Sequence, residues 1–312
     1  SAGRGHTTSY PHAGLKYHRS NRPTATPPTG GEVCSSDDAT VRTLATSEEL
    51  ARELQATRRP VKEFFTFVTE RGDTLNAYMV KPRDFDPAKR YPVLLTQYSG
   101  PGSQQVLDRW SLDWEDALVD AGYIVACTDG RGTGCRGELF KKKTYGRLGA
   151  LEVEDQLSFA RYLGRQAYID PARIGIYGWS YGGFMALGCA LKGHGLFRMA
   201  IAVAPVTSWR YYDTIYTEIY NGLPQFNARG YDDNSPLNFA RMLDDKRTRL
   251  LIIHGTADDN VHFQNSMEMA RALNRAGKQY DSMVYPDQSH SLLPDDTHNV
   301  RQKMVAYTLE HL

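Results

Sequence analysis

The chain has 312 residues, and its 37 Lys and Arg nearly balance its 36 Asp and Glu. This balance provides no field that would gather nucleic acid or an anionic membrane. No apolar stretch approaches the roughly 20 residues of a membrane-spanning helix, and none of the cysteines stands in a Cys-x-x-Cys pair. We expect one large domain or slightly more, without a metal, a cofactor or a nucleic-acid partner. Free thiols are expected, with a Cys127–Cys135 disulfide as the alternative.

Residues 1–58 differ in composition from the rest and predict a separate unit. His6, His12 and His18 are six residues apart and cannot share a helix face, so we interpret them as surface residues rather than metal ligands. Thr46-Ser-Glu-Glu49 has the pattern of a capping box. It predicts a short helix that ends near Thr57.

Residues 59–312 predict a domain in which strands and helices alternate. Two runs rich in aromatic and branched residues, 63–68 and 75–80, flank a turn and predict a hairpin. Further strands are predicted at 93–98, 123–127, 173–177, 199–203, 250–254 and 280–284, and helices at 114–121, 149–163, 184–191, 263–276 and 298–312. Short apolar strands that alternate with helices indicate a mostly parallel sheet covered on both faces. The expected fold is that of an α/β hydrolase.

Gly178-Trp-Ser180-Tyr-Gly182-Gly is the most informative motif of the chain. A predicted strand precedes it and a predicted helix follows it, which is the setting of a nucleophile elbow. Its glycines suit a turn too tight for a Cβ atom nearby. The motif therefore predicts that Ser180 is an exposed nucleophile.

A serine nucleophile needs a general base and an acid that orients the base, and in this fold the acid precedes the histidine. Asp258 follows the predicted strand 250–254, and its neighbour Asp259 is the alternative, whose other role would be to fix the loop. His290 lies in the loop after strand 280–284, so it is the predicted base, with a surface histidine as the alternative. The other histidines after the acid are too close to it or lie near the last helix: His262, His298 and His311.

Stabilisation of an oxyanion requires donors placed where the charge develops. The backbone N–H of Tyr181 is one expected donor. The second should come from the loop Tyr98-Ser-Gly-Pro-Gly102, which lacks the His-Gly-Gly pattern of lipases, so the Tyr98 hydroxyl is predicted. Together these residues predict acyl transfer, in which Ser180 attacks, His290 takes its proton and Asp258 holds the imidazole.

Five stretches of the chain together resemble the dipeptidyl peptidase IV branch of the prolyl oligopeptidase family. They are Tyr98-Ser-Gly-Pro-Gly-Ser-Gln, Asp129-Gly-Arg-Gly-Thr-Gly, Glu152-Val-Glu-Asp-Gln, Gly178-Trp-Ser-Tyr-Gly-Gly and His254-Gly-Thr-Ala-Asp-Asp-Asn-Val-His. The resemblance identifies Asp258, not Asp259, as the acid. It implies a serine exopeptidase that acts on peptides with Pro or Ala second from the N-terminus.

The same resemblance implies that residues 204–216 line a pocket for proline. The expected walls are Tyr181, Val206, Trp209, Tyr212, Tyr216 and Val261. Aromatic walls suit a flat pyrrolidine ring and lose little rotamer freedom on binding; the alternative is that these side chains are ordinary core. Asn260, and Arg131 near it, would hold the substrate backbone, because an amide offers both donors and an acceptor.

The chain departs from the family at its N-terminus. Family members carry a large β-propeller, and we interpret residues 1–58 as the end of such a propeller and the linker that follows. The propeller holds the paired glutamates that bind the substrate's amino group, and no Glu before residue 60 has that setting, so release of dipeptides and of tripeptides both stay open. We expect the chain to be the C-terminal portion of a larger enzyme, with completion by another chain as the alternative. The resemblance also implies a homodimer through residues 280–312.

The rival hypotheses for the function are a general esterase or acylaminoacyl peptidase and a non-catalytic binding module.

Overall fold

The computed structural model describes residues 8–11, 14, 16–21, 31–44, 46, 48–57, 60–109, 111 and 113–312. Within these ranges the strands form two sheets, one of four strands and one of eight. None of the helices in the same ranges is long and apolar enough to cross a membrane. His6, His12 and Ser47 of the capping box lie outside the described residues. His18 is partly buried and lies 3.2 Å from a carboxylate oxygen of Asp38.

The smaller sheet is antiparallel, and its strands follow one another in chain order. Its strands are β1 (Thr8–Pro11), β2 (Tyr17–Asn21), β3 (Gly31–Ser35) and β4 (Thr40–Thr43). Helix α1 (Glu48–Ala56) follows, which confirms the predicted short helix. Four antiparallel strands are the unit of a propeller blade. The assignment of residues 1–58 to a propeller stays a prediction.

The larger sheet begins with the predicted hairpin, β5 (Glu63–Val68) and β6 (Thr74–Val80). Its other strands are β7 (Tyr91–Thr96), β8 (Ile124–Asp129), β9 (Ile169–Trp179), β10 (Met199–Val203), β11 (Arg249–Gly255) and β12 (Asp281–Tyr285). The spatial order is β12-β11-β10-β9-β7-β8-β6-β5. Only the β5–β6 and β6–β8 pairs are antiparallel. The mostly parallel sheet is confirmed.

Helices cover both faces of this sheet. The helices after β6 are α2 (Asp116–Asp120), α3 (Glu138–Lys141), α4 (Leu151–Gly164), α5 (Tyr181–Lys192), α6 (Thr214–Asn221), α7 (Ala228–Asp232), α8 (Gln264–Arg275) and α9 (Pro294–His311). Short 3-10 turns lie at Lys142–Thr144, Trp209–Tyr211 and Pro236–Met242. Apolar side chains of α4, α5 and α8 form the core on one face, and those of α2 and α9 form the core on the other.

The four cysteines are free thiols. Cys127 is fully buried within β8, and burial raises the pKa of its thiol. Cys135 is exposed beyond the end of the same strand. The alternative disulfide between these two residues is therefore wrong.

Parallel pairing brings distant parts of the chain to one edge of the sheet. Strands β7, β9, β11 and β12 run in the same direction, and the segments after their carboxyl ends contain Tyr98, Ser180, Asp258 and His290. In open α/β sheets, ligands bind outside the carboxyl ends of the strands. This edge is therefore where a site is expected.

Candidate active site

Ser180 lies in a sharp turn between β9, which ends at Trp179, and α5, which begins at Tyr181. Its backbone has φ 61° and ψ −117°, a conformation that residues other than glycine seldom adopt. The Ser180 N–H donates to the carbonyl oxygen of Val203 at 2.8 Å, which ties the strained residue to β10. Backbone strain of this kind concentrates at functional sites.

The glycines of the motif are required by close approach of backbone. A Cβ atom on Gly178 would lie 2.1 Å from the carbonyl oxygen of Gly182 and 2.5 Å from Nε2 of Gln97. A Cβ atom on Gly182 would lie 2.6 Å from the carbonyl oxygen of Gln97. Neither position can hold a side chain without movement of the elbow, which is the physical reason for the Gly-x-Ser-x-Gly spacing.

The predicted acid and base form a direct pair. His290 Nδ1 lies 2.7 Å from Asp258 Oδ2, and Asp258 Oδ1 accepts the backbone N–H groups of Asn260 and Val261 at 2.9 Å each. Because an ionised carboxylate only accepts hydrogen bonds, Nδ1 of His290 carries the proton and Nε2 is free to act as a base. Asp259 is exposed, so the geometry favours Asp258.

A second histidine contacts the same carboxylate. His254 Nε2 lies 3.1 Å from Asp258 Oδ2 and 2.8 Å from the carbonyl oxygen of Val261, and its Nδ1 lies 2.7 Å from the Ser266 hydroxyl. Burial opposes ionisation of Asp258, but hydrogen bonds from His254 and His290 outweigh it and hold the pKa of Asp258 well below its usual range. Sequence reasoning missed His254. Its position at the end of β11, just before the loop of the acid, was the available signal.

Ser180 and His290 are joined through their segments. Trp179 Nε1 donates to the carbonyl oxygen of His290 at 3.1 Å, so the elbow anchors the loop of the histidine. No hydrogen bond joins the Ser180 hydroxyl to His290, both of which belong to the described part of the chain. Hydrogen bonds between catalytic groups are often long without substrate and tighten when it binds.

The Tyr98 hydroxyl lies beside Ser180. Burial raises the pKa of Tyr98, and a hydrogen bond with the Ser180 side chain opposes that rise. Its ring lies 5.9 Å from the Tyr181 ring, and a Cβ atom on Gly100 would come within 2.6 Å of it, so glycine leaves room for this orientation. Tyr181 is the first residue of α5, whose leading N–H groups have no partner inside the helix. Both predicted donors thus stand next to Ser180.

The predicted pocket residues belong to one aromatic cluster. The Trp209 ring lies 5.3 Å from Tyr181, 6.1 Å from Tyr212 and 6.2 Å from Tyr216, and the last two rings meet edge to face at 5.4 Å. Val206 and Val261 are buried in the hydrophobic core to which Tyr181 and Trp209 also belong. Tyr212 and Tyr216 are only partly buried, so the cluster reaches the surface at these two rings, whereas Tyr181 and Trp209 are buried.

The sequence profile of the prolyl oligopeptidase family matches residues 110–312, which is more than half of the chain. The chain belongs to the prolyl oligopeptidase family. The crystal structure of Porphyromonas gingivalis dipeptidyl peptidase 4 is 43% identical with a TM-score of 0.96, and the match covers 100% of this chain and 44% of that one. This likeness confirms the α/β-hydrolase fold and the predicted resemblance.

Curated members of the family show the same likeness. The probable dipeptidyl-aminopeptidase B of Metarhizium robertsii is 41% identical over 254 residues, covering 80% of this chain and 28% of that protein. Dipeptidyl peptidase 4 of Bos taurus is 39% identical over 267 residues, covering 85% of this chain and 34% of that protein. The chain therefore spans only about a third of the length of these relatives.

Asn260 is oriented by one wall of the family's expected pocket. It is exposed, and its amide oxygen accepts the Tyr212 hydroxyl at 2.7 Å. Because that oxygen is engaged, the NH₂ group of Asn260 remains available to donate to a substrate carbonyl. The two residues border an open depression of about 560 Å³.

Arg131 does not stand where the family resemblance suggested. It is 5% exposed, and its guanidinium contacts Asp155 at 2.7 Å, Glu154 at 3.2 Å and Asp73 at 3.3 Å. It borders a depression different from the one that Asn260 borders. The expectation that Arg131 holds the substrate is wrong, because three carboxylates already occupy its donors.

Glu152 belongs to one of the stretches that resemble the family, and it binds the hydroxyl of Tyr181. Its carboxylate is fully buried and accepts the Tyr181 hydroxyl at 2.8 Å and the Gly149 N–H at 3.0 Å. Burial raises the pKa of Glu152 to about 7, and these hydrogen bonds oppose a larger rise. Sequence reasoning missed this role, because the contact depends on how α4 packs against α5.

Proposed function

We propose that the chain carries the catalytic domain of a serine exopeptidase that releases short N-terminal peptides after Pro or Ala, through an acyl-enzyme on Ser180. The observation that carries the proposal is the 2.7 Å pair of His290 and Asp258 at the same sheet edge as a strained Ser180. Membership in the prolyl oligopeptidase family supports it.

In the proposed reaction, the Ser180 hydroxyl turns from Tyr98 towards His290 and attacks the carbonyl carbon of the proline or alanine residue itself. Nε2 of His290 takes the hydroxyl proton, and Asp258 stabilises the imidazolium that forms. His290 then gives that proton to the leaving amine, which departs and leaves the acyl group on Ser180. A water molecule attacks the carbonyl carbon of the ester while Nε2 of His290 takes its proton. The bond between that carbon and Ser180 Oγ then breaks, His290 returns the proton to Oγ, and the acid product leaves.

The charge on the tetrahedral intermediate is stabilised by two donors that differ in kind. The Tyr181 N–H is fixed by the start of α5, where the helix dipole also favours negative charge. The Tyr98 hydroxyl lies against Ser180 in the free enzyme and would donate to the oxyanion once the serine has turned. Each such donor contributes on the order of 10²–10³ in kcat.

Substrate selection is proposed to come from the aromatic cluster and Asn260. The partly buried Tyr216 ring stacks on Trp209, which packs against Tyr181, so these three rings would form a rigid wall for a pyrrolidine ring. The other proposed walls are Val206, Tyr212 and Val261. The Asn260 amide, held by Tyr212, would donate to a carbonyl of the same peptide.

The number of residues released and the assembly are further proposals. The names of the relatives favour dipeptides over tripeptides.

We place residues 1–58 at the end of a propeller whose remainder lies upstream, and we place a homodimer contact in residues 280–312. Sedimentation velocity of the protein tests the dimer: a monomer at all concentrations up to about 100 μM would contradict it.

A fluorophosphonate probe tests the nucleophile, because it reacts with an activated serine whatever peptide the enzyme prefers. We expect an adduct on Ser180 and none in Ser180→Ala, whose kcat should fall on the order of 10⁴–10⁶-fold. No adduct in the wild type would instead support a binding module.

A fluorogenic Gly-Pro amide and p-nitrophenyl butyrate, assayed side by side, test the substrate class. A larger kcat/KM on the prolyl amide supports the peptidase. Faster turnover of the butyrate ester with labelling of Ser180 intact would favour the general esterase.

A further inference from the structure

Gln97 links the loop of Tyr98 to the elbow of Ser180. It directly follows β7, precedes Tyr98 and is 6% exposed. Its Nε2 donates to the carbonyl oxygen of Gly182 at 2.8 Å and to that of Tyr177 at 3.3 Å. One side chain therefore bridges three segments: the end of β7, the end of β9 and the first turn of α5.

Ser99, on the other side of Tyr98, completes a buried network. It is 1% exposed, has φ 66° and donates its hydroxyl to Oε1 of Gln97 at 3.0 Å. The same hydroxyl accepts from Nε2 of Gln156 at 3.2 Å, which also donates to the carbonyl oxygen of Thr128 at 3.2 Å. Both neighbours of Tyr98 are thus held by α4, β8 and the elbow.

The two proposed oxyanion donors lie on different segments of the chain. The Tyr98 hydroxyl belongs to the loop after β7, whereas the Tyr181 N–H belongs to α5. Gln97 donates to the carbonyl oxygen of Gly182, the residue directly after Tyr181. The absence of a Cβ atom at Gly182 permits this approach, since one would lie 2.6 Å from the Gln97 carbonyl oxygen.

From this geometry we infer that Gln97 is a positioning residue of the oxyanion hole, with Ser99 as its support. The inference rests on the proposed function only in that Tyr98 and Tyr181 serve as the donors. Gln97 touches no reacting atom and acts through the distance that it sets between those donors. A misplacement of about 1 Å in such a site can cost about 10²-fold in rate.

The test is Gln97→Leu, which keeps most of the volume and removes the amide. The first readout is the rate constant for labelling of Ser180 by a fluorophosphonate, which does not depend on peptide specificity. We expect this rate to fall about 10- to 100-fold, below the loss of a whole donor. For a Gly-Pro amide, kcat should fall by a similar factor while KM changes less than about twofold.

A double-mutant cycle with Tyr98→Phe separates positioning from a merely structural role. Once the tyrosine donor is gone, Gln97→Leu should slow labelling by less than about threefold more. The control is Thr248→Val, which removes a buried hydroxyl bonded to the Phe197 carbonyl oxygen at 2.7 Å, beside the opposite end of β11. This control should lower the melting temperature and leave the labelling rate unchanged.

The inference is overturned if the double variant loses labelling rate by the product of the two single losses. It is also overturned if Gln97→Leu has a lower melting temperature but is labelled at the wild-type rate. If Gln97→Leu does not fold, Ser99→Ala takes its place and must show a smaller loss with the same coupling to Tyr98; no coupling would also overturn it. Failure to cleave Gly-Pro substrates with normal labelling would count against the proposed function alone.

Discussion

Glu152→Gln should change how the stability of the protein depends on pH. The carboxyl group is fully buried, and its pKa is raised from 4.5 to about 7, mainly by burial. Below the unfolded pKa both states are protonated, so the group contributes nothing to the pH dependence. As the pH rises towards 7, the unfolded chain loses this proton first, and the free energy of unfolding falls. The difference between a pKa of 4.5 in the unfolded chain and about 7 in the folded protein corresponds to about 3 kcal/mol.

The assay is urea unfolding of wild type and variant between about pH 4.5 and pH 8. Other carboxyl groups cancel in the difference between the two proteins. That difference should change by about 3 kcal/mol across the window, with the wild type losing stability relative to Glu152→Gln as the pH rises.

A second variant, Tyr181→Phe, removes the hydroxyl that donates to the Glu152 carboxylate. The Tyr181 hydroxyl donates to Glu152 at 2.8 Å and lowers the pKa of Glu152. Tyr181→Phe should therefore raise that pKa further and extend the loss of stability to higher pH. A flat difference for Glu152→Gln would refute the raised pKa, and a Tyr181→Phe profile identical to wild type would refute the hydrogen bond.

Three further substitutions test the site. Tyr98→Phe should lower kcat on a Gly-Pro amide about 10²–10³-fold with little change in KM, and a loss below about threefold would remove Tyr98 from the oxyanion hole. Gly178→Ala places a Cβ atom 2.1 Å from the Gly182 carbonyl oxygen, so it should destabilise the fold by about 2 kcal/mol or more; a wild-type melting curve would contradict this steric argument. Tyr212→Phe removes the hydroxyl that orients the Asn260 amide, so KM should rise about 3- to 10-fold while kcat changes less. An unchanged KM would mean that the amide needs no such support.

Local pattern was enough to predict most elements of the larger sheet. The strand predicted at 199–203 matches β10 residue for residue, because a short apolar run between helices has few other places in an α/β fold. The region 204–248 was predicted less well. Its helix α6 has a half-exposed tyrosine face and no clear apolar stripe, so periodicity did not reveal it.

The nucleophile elbow at Ser180 could be predicted from the sequence for a different reason. A Cβ atom on Gly178 would clash with the carbonyl oxygen of Gly182 within the same motif, so this part of the glycine requirement lies in nearby positions of the chain. The clash at Gly182 is with Gln97, which only the fold brings near. The choice of Asp258 and His290 used the order of acid and base in the fold, and their 2.7 Å contact agrees with that choice. What the sequence by itself determined was therefore the local geometry of the nucleophile and the kinds of side chain that follow each strand.

Only the tertiary structure decided which buried polar groups support the site. His254 is directed at Asp258 by the end of β11, Glu152 meets Tyr181 through helix packing, and Gln97 reaches across to the elbow. Arg131 shows the converse, since carboxylates from α4 and from the turn of the hairpin accept the donors that the resemblance had assigned to substrate. These partners come from separate segments, and a buried donor or acceptor takes whichever partner packing brings within about 3 Å. No local pattern in the sequence encodes that distance.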